Sequence, residues 1–548
     1  MRIDISTKNE SNVDGIQQFD VVIIGAGFSG CYLLHKLRGL GFKVCVIDAA
    51  PNVGGVWQWN RYPGARVDSH VPLYELSIPE IWKSWNWSQR YPSGSEVLAY
   101  FHHLDKELDL AKDMIFETKV TTAKFCDENN TWSITTDNGA NLVSTYFIPA
   151  MGFAAKRVFP NWQGIEHFKG EIHHSSFWPA DGVDVRDKRV AVVGTGSTGI
   201  QIIQELGPIA KEMTVFQRTP NYCLPMHQQS LTPEMQESAR ADYPAKFAFR
   251  LLSAGGYDAN PEDVNTFDHT AAERRSFYED KWSKGDFSFL IRSYKDLMVD
   301  PVANREAYDF WAQKVRPMLD DPEKREILAP LEPPHPFGTR RTALFTTFYE
   351  VMDQPNVNIV PVKHNPIECL TETGIVTRDG KHHDFDVIAL ATGFDAVTGG
   401  LKQITVEGID GINLNEKWSN GTSTLLGLMS AGFPNMFFVY GPQGPTALSN
   451  GPACIEIQSD WIADYLVYAR DQKITRIDAD PESEQNFSKL LNDHTNQTLF
   501  ILDDSPYVGG NIDGKIREGL NWIAGIPEYA RLIGKSAANN YEGFKLSK

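Results

Sequence analysis

Two glycine-rich turns are the first features of this chain whose spacing could do chemistry. Gly25, Gly27 and Gly30 follow the apolar run VVII, and Gly194, Gly196 and Gly199 repeat the pattern after RVAVV. In a turn of this kind the first glycine permits the tight bend, the second lets backbone approach a pyrophosphate, and the third lets helix and strand pack closely. The helix that follows aims free N–H groups and a partial positive charge at the phosphates. A glycine-rich turn can also be purely structural, so the far end of each unit decides. Asp48 ends the first unit, where a carboxylate accepts from both ribose hydroxyls and repels a 2′-phosphate, favouring FAD or NAD. At the matching position the second unit carries Arg218, between Gln217 and Thr219. A guanidinium there pairs with a 2′-phosphate and favours NADPH.

Other residues are candidates by their place around these turns. For the first nucleotide they are Phe28, Gly55, Val56, Trp57, Asp68, Tyr74 and Val120. The segment NVGGVWQWNRYPGARVDSH (Asn52–His70) suits a flavin: glycines bring backbone close, Trp57 and Trp59 offer flat apolar surface, and Asp68 adds a carboxylate. For the second nucleotide they are Arg66, Thr195, Ser197, Thr198, Gln201 and Thr219. Two unlike dinucleotides, one of them a flavin, imply hydride transfer from nicotinamide to flavin. The six cysteines, Cys31, Cys45, Cys126, Cys223, Cys369 and Cys454, contain no CxxC, which removes disulfide reductase chemistry and a zinc ribbon. The expectation is buried, inert thiols in a reducing compartment. No residue cluster suggests a metal.

The elements that must position these residues follow from the same pattern. FDVVIIGAGFSGCYLLHKLRGLGFKVCVID (Phe19–Asp48) and KRVAVVGTGSTGIQIIQELGPIAKEMTVFQR (Lys188–Arg218) each read as strand, helix, strand. The fold class is therefore α/β, with two Rossmann-like dinucleotide-binding domains. At 548 residues the chain exceeds one hydrophobic core. TWSITTD (Thr131–Asp137), VNIVPV (Val357–Val362) and DVIALATG (Asp386–Gly393) read as strands, whereas MQESARADYPAKFAFRLL, AAERRSFYEDKW and NREAYDFWAQKV read as amphipathic helices. This predicts an FAD-binding domain from residues 1–160 and 394–548. The NADP-binding domain takes 161–224 and 336–393, with a helical insertion at 225–335. A charge of −18, from 52 basic against 70 acidic residues, argues against nucleic acid and anionic lipid. The polar N-terminus lacks a secretory signal and no apolar run spans a bilayer, so the expectation is a soluble cytoplasmic protein, monomeric by default.

FKGEIHHSSFWP fits FxGxxxHxxxWP through Phe168, Gly170, His174, Trp178 and Pro179. This resembles the fingerprint of the type I Baeyer–Villiger monooxygenases. GGVW, NRYPGARVD, VFQRTPN, ATGFDA (Ala391–Ala396) and GGNIDGK (Gly509–Lys515) extend the resemblance over residues 19–525. It implies FAD and NADPH as cofactors, and oxygen insertion beside a ketone carbonyl through a C4a-peroxyflavin, giving an ester or lactone. The partners it implies are a small ketone and O2. Arg341, in FGTRRTALFTTFYE, falls at the catalytic arginine and Asp68 at the acid that positions it. Arg340 stands where relatives carry a lysine that helps bind the 2′-phosphate, and His174 would couple domains without moving protons. Thr446, Ala447 and Leu448 are candidates for the substrate pocket, suiting aliphatic or alicyclic ketones. Pro506 replaces a tryptophan that contacts NADP in many relatives, which puts the coenzyme grip in question. The alternatives are an N- or S-oxygenating flavin monooxygenase and a redox sensor without turnover.

Overall fold

Val21, Val22 and Ile23 have no exposed surface. A run buried on both faces needs a neighbouring strand on each edge. The computed structural model, which describes residues 17–548, gives the strand Gln17–Ile24 both neighbours. Val44–Ile47 lies parallel on one side, with Val21 opposite Val44, and Asn141–Pro149 lies parallel on the other. The N-terminal stretch read for a signal, up to residue 16, lies outside the described residues. The complete sheet has seven strands in the order Thr405–Glu407, Val120–Cys126, Thr131–Thr136, Asn141–Pro149, Gln17–Ile24, Val44–Ile47, Met114–Ile115. TWSITTD supplies the third of these, antiparallel to both neighbours. The edge strand Thr405–Glu407 comes from beyond residue 394. Helix Gly451–Gln472, also from the tail, packs along helix Phe28–Gly39, where Tyr32 Oη donates to Asp460 at 2.9 Å and Lys36 pairs with the same carboxylate.

The second sheet has five parallel strands in the order Val357–Pro361, Glu212–Gln217, Arg189–Val193, Val387–Leu390, Glu171–His174. Val190, Ala191, Val192, Val387, Ile388 and Ala389 are wholly buried, as a sheet covered on both faces requires. The chain passes between the two sheets on adjacent paths. Lys156–Arg157 pairs antiparallel with Phe394–Asp395, Arg157 opposite Phe394. Asp395 anchors this ribbon, accepting from Lys515 at 2.7 Å and Lys156 at 3.2 Å.

Between residues 225 and 335 the chain is mostly helical: Pro233–Ala239, Tyr243–Arg250, Ala271–Ser283, Ser288–Ile291, Pro301–Val315 and Pro322–Leu328. The single helix expected over Met235–Leu252 is broken by a 3-10 turn at Arg240–Asp242. Pro244 has no N–H to give the Arg240 carbonyl, so the α-helical ladder restarts there. Helix Tyr243–Arg250 ends on a wholly buried arginine. Arg250 donates to the carbonyls of Leu73 and Glu75 at 3.0 and 2.8 Å and to Glu456 at 2.7 Å, tying this block to the first unit. Nearby, burial pushes the Glu75 carboxyl up to about 8. No helix among the described residues is long and apolar enough to cross a membrane.

Candidate active site

The first turn has no room for a side chain at Gly25 or Gly30. Gly25 sits at φ +107°, and a Cβ there would stand 2.6 Å from the Ala150 carbonyl oxygen. A Cβ on Gly30 would lie 1.9 Å from the carbonyl oxygen of Gly25. Gly27 heads helix Phe28–Gly39 without a side-chain cap, which leaves the first N–H groups free for an anion. Gly55, at φ +53°, brings the next turn against Gly27, where a Cβ would be 2.8 Å from the Gly27 Cα. Asp48 is buried; its two oxygens accept the N–H groups of Ala26 at 2.6 Å and Ala50 at 2.7 Å. Burial raises its pKa, and those two hydrogen bonds work the other way. Each oxygen keeps a lone pair that a ribose hydroxyl can use. Phe28 meets the edge of Tyr74, whose hydroxyl accepts from Trp57 Nε1 at 3.1 Å, and Val56 beside them is exposed. Val120 is 2% exposed and packs in the sheet core, so any nucleotide contact it makes is through backbone.

The second turn repeats the construction. Gly194 is at φ +106°, and a Cβ on Gly199 would lie 2.0 Å from the Gly194 carbonyl oxygen. Gly196 heads helix Ser197–Leu206, again without a side-chain cap. No atom lies within 4 Å of the place its Cβ would take, so the glycine keeps open space before the helix, as a phosphate needs. Ser197 and Thr198 form the first turn of that helix, and Thr195 Oγ1 donates to the Thr219 carbonyl at 3.0 Å. Arg218 is exposed just past strand Glu212–Gln217 and makes no ion pair among the described residues. Gln201 joins the two units: it accepts from Tyr62 Oη at 2.8 Å and donates to the Arg66 carbonyl at 3.0 Å. Arg66 donates to Gln89 and to the Tyr91 carbonyl at 2.7 and 2.6 Å, and burial lowers its pKa. Arg66, Gln201, Gln204 and Gln228 line a common cleft. An unpaired guanidinium at the position of cofactor choice makes a direct expectation. Arg218→Ala should raise KM for NADPH at least about tenfold and leave KM for NADH nearly unchanged, a loss in the range of one charge-assisted contact. Equal rises in steady-state assays with the two coenzymes would remove the 2′-phosphate role.

Arg340 departs from its expected part. Its guanidinium is gripped by Asp503, with Nε at 2.8 Å and Nη2 at 2.6 Å, and is not free for a 2′-phosphate while that pair is closed. The planar guanidinium fits this carboxylate in two-point contact, which a point-charge ammonium would not.

Arg341 and Asp68 meet as expected. Arg341 Nε and Nη2 each donate to a different Asp68 oxygen at 2.7 Å. The arginine is one third exposed, and Nη1 points to the Ala447 carbonyl at 3.4 Å. Burial works against its charge, but the Asp68 carboxylate outweighs this and holds its pKa well above the ordinary value. Three neighbours carried no sequence signal. The Phe287 ring lies 5.1 Å from the guanidinium carbon, and the phenols of Tyr257 and Tyr507 lie beside the guanidinium. Burial raises both phenol pKa values, so each stays a hydrogen-bond donor. Tyr257 Oη also meets Ser69 Oγ at 3.1 Å, next to Asp68. Of the three pocket candidates, Ala447 and half-buried Leu448 join an apolar cluster with Phe500, Tyr507 and Val508. Thr446 does not fit that expectation: its side chain is wholly buried and bonded to Asn521.

The FxGxxxHxxxWP segment forms the edge strand of the second sheet and the turn that follows it. A Cβ on Gly170 would collide with the Phe168 ring at 2.6 Å and the Asp386 carbonyl at 2.5 Å, which fixes this residue as glycine. Trp178 is 1% exposed in the second core, and Pro179 follows it. His174, 2% exposed, holds Ser176 through Nδ1. Burial pushes its pKa down to about 4, so it is a neutral structural ring at neutral pH. Arg157, from the linking ribbon, donates to Ser176 Oγ at 2.7 Å and lies 3.6 Å over the Phe177 ring. An unfolded histidine binds its proton near pH 6.5, above the folded value, so this group's stabilisation is complete above that pH and is lost on acidification toward pH 4. His174→Gln should therefore lose less stability over that interval than the parent, by up to about 3 kcal/mol in urea melts.

Four of the six thiols, Cys31, Cys45, Cys223 and Cys454, are buried with raised pKa values; Cys126 and Cys369 are partly exposed, against expectation. Two dinucleotide turns and a carboxylate-held arginine, without paired thiols, fit the class of two-dinucleotide flavoproteins that do not use a disulfide. The family of pyridine nucleotide-disulphide oxidoreductases matches residues 19–242, the stretch that contains both turns. FAD-binding monooxygenase acrE of Aspergillus aculeatus is 44% identical, covering 97% of this chain and 89% of that one. Cyclopentanone 1,2-monooxygenase of Comamonas sp. is 42% identical, covering 97% and 96%. The solved structure of OTEMO in complex with FAD and NADP superposes with a TM-score of 0.93 at 34% identity, covering 96% of this chain and 99% of that one. The chain belongs to the Baeyer–Villiger monooxygenases.

Proposed function

We propose that this chain uses NADPH and O2 to insert one oxygen atom beside the carbonyl of an aliphatic or alicyclic ketone, releasing an ester or lactone. The observation that carries the reading is the Arg341 guanidinium, fixed in its plane by Asp68 at 2.7 Å on two edges beside an apolar wall. FAD suits the first turn, where Gly25, Gly30 and Gly55 leave space only for backbone, Gly27 heads an uncapped helix and Asp48 keeps free lone pairs. NADP suits the second, with Gly196 open and Arg218 unpaired. Bound FAD supplies electron transfer from NADPH and the activation of O2, which side chains do not provide.

The chain's own residues do the rest. Asp68 spends its charge on orientation, so Arg341 presents a fixed cation toward negative charge that develops at the reacting centre. In a site shielded from water that interaction is far stronger than in bulk solvent. Tyr257 and Tyr507 stand beside Arg341 as neutral phenols. Ala447, Leu448, Phe500, Tyr507 and Val508 offer apolar contact to a ketone and keep water out. His174 moves no proton at neutral pH; its buried ring packs against Phe159 and Phe394.

The organisation proposed with this function assigns residues 1–160 and 394–548 to FAD, 161–224 and 336–393 to NADP, and 225–335 to a helical insertion. Membership of the two sheets supports the assignment. A cytoplasmic monomer is the proposed working state, in keeping with the acidic surface. The test is product analysis with NADPH and O2 over linear and cyclic ketones, then amines and thioethers. Ester or lactone is expected. Sulfoxide or N-oxide with no ester from any ketone would replace this reading by N- or S-oxygenation.

A further inference from the structure

Arg340 and Arg341 are neighbours, yet each grips a carboxylate from an opposite end of the chain. Arg341 holds Asp68 of the N-terminal unit, and Arg340 holds Asp503 of the C-terminal tail. The second pair is the more enclosed: the Asp503 side chain is 3% exposed, that of Asp68 21%. Thr339 Oγ1 adds a contact at 3.0 Å to Asp503 Oδ2, sharing its proton with the Pro336 carbonyl at 2.9 Å. The Asp503 carbonyl accepts from Arg517 at 2.7 Å. One carboxylate thus fastens two consecutive residues of the arginine-bearing loop to the tail.

What the tail carries makes this fastening functional. Phe500 and Tyr507 flank Asp503 in sequence, and both belong to the apolar cluster with Ala447, Leu448 and Val508. Ala447 faces Arg341 through its carbonyl, and the Tyr507 phenol lies beside the same guanidinium. Among the described residues, every side-chain hydrogen bond or ion pair that joins Thr339 or Arg340 to the tail is made to Asp503. Asp68 orients Arg341 from one side, and Asp503 is the carboxylate that ties the two preceding residues to the tail carrying the apolar wall. A group misplaced by about 1 Å far from the chemistry can cost a hundredfold in rate.

We propose that Asp503 is a positioning residue: through Thr339 and Arg340 it fixes Arg341 and holds the Phe500–Val508 segment closed against water. The proposal rests on the monooxygenase reading above, but its test does not require the right ketone. In Asp503→Asn, NADPH-driven H2O2 release measured without ketone should rise at least about tenfold, because water and protons reach the centre. Product formed per NADPH should fall correspondingly with any ketone the parent converts. Hydrogen–deuterium exchange should quicken in the peptides covering 337–343 and 499–510, and stay unchanged in the two dinucleotide turns. Asp503→Glu, which keeps the charge, should recover part of the coupling. Breaking one partner of an enclosed pair can unfold a protein, whereas replacing both by apolar residues is often tolerated. Arg340→Leu with Asp503→Leu therefore serves as the second variant and should bind FAD yet show the same uncoupling. Parent-level coupling and exchange in either folded variant would overturn the proposal, as would loss of flavin from both, which would make Asp503 a residue of folding alone. A parent that makes no ester sinks the functional reading, while the H2O2 and exchange measurements still judge Asp503.

Discussion

Arg341→Ala is expected to abolish oxygenated product while leaving reduction of the flavin by NADPH in place. The guanidinium touches neither glycine turn; its neighbours are Asp68, the Ala447 carbonyl, the Phe287 ring and the phenols of Tyr257 and Tyr507. Coenzyme binding and hydride transfer therefore do not depend on it. What depends on it is the fixed positive charge beside the apolar wall, already oriented before the reaction starts. Loss of one such preoriented group costs about a hundred- to a thousandfold in rate. Electrons that enter the flavin should leave as H2O2. Arg341→Lys keeps a charge but loses the fork that fits Asp68, so it should recover only part of the activity. Anaerobic stopped-flow reduction combined with gas-chromatographic product analysis separates the two half-reactions. Ester at the parent rate from Arg341→Ala would remove the assignment of this residue.

The duplicated turn allows a matched pair of substitutions with opposite outcomes. Gly30→Ala places a methyl 1.9 Å from the Gly25 carbonyl oxygen, and Gly199→Ala places one 2.0 Å from the Gly194 carbonyl oxygen. Both contacts are with backbone, so relief requires the helix to move off its strand, at a cost of about 1–3 kcal/mol or more. In the first unit that movement carries free N–H groups away from the flavin's pyrophosphate, and the purified protein should be colourless. In the second unit the same lesion should leave a yellow protein that no longer bleaches with NADPH. Visible absorption before and after anaerobic NADPH reads both. A yellow Gly30→Ala beside a colourless Gly199→Ala would reverse the assignment of cofactors to turns.

How much of this was legible in the sequence depended on whether the signal was local. Asp48 and Arg218 could be picked out as candidates because cofactor choice is made at a strand end a fixed distance past a glycine turn. The same locality made the strands Gln17–Ile24 and Arg189–Val193 readable from their β-branched runs. Arg341 and Asp68 were paired by resemblance; residues alone give no reason to join positions in different units. Tyr257, Phe287 and Tyr507 reach the guanidinium from loops and short helices, where no period marks a contact. The charge of Arg340 was foreseen, but not its partner Asp503, since an ion pair across the tail is a property of packing. Thr446 sits in an aperiodic stretch, PQGPTALSN, in which inward and outward positions do not alternate. Pro244 shows the opposite case: a local rule, the missing N–H, was present in the sequence and outweighed by an amphipathic pattern that ran through it.

The paired crossing at Arg157 and Phe394 has a consequence for engineering. Since entry and exit of the intervening stretch lie side by side on one ribbon, its two ends are already within a strand spacing of each other. A short turn can therefore seal the gap, or a corresponding stretch from a relative can be spliced in as a cassette. Chimaeras cut at those two residues would exchange the second glycine turn and Arg218 together, and would keep their fit where the partners of Arg250, Arg340 and Arg341 are matched.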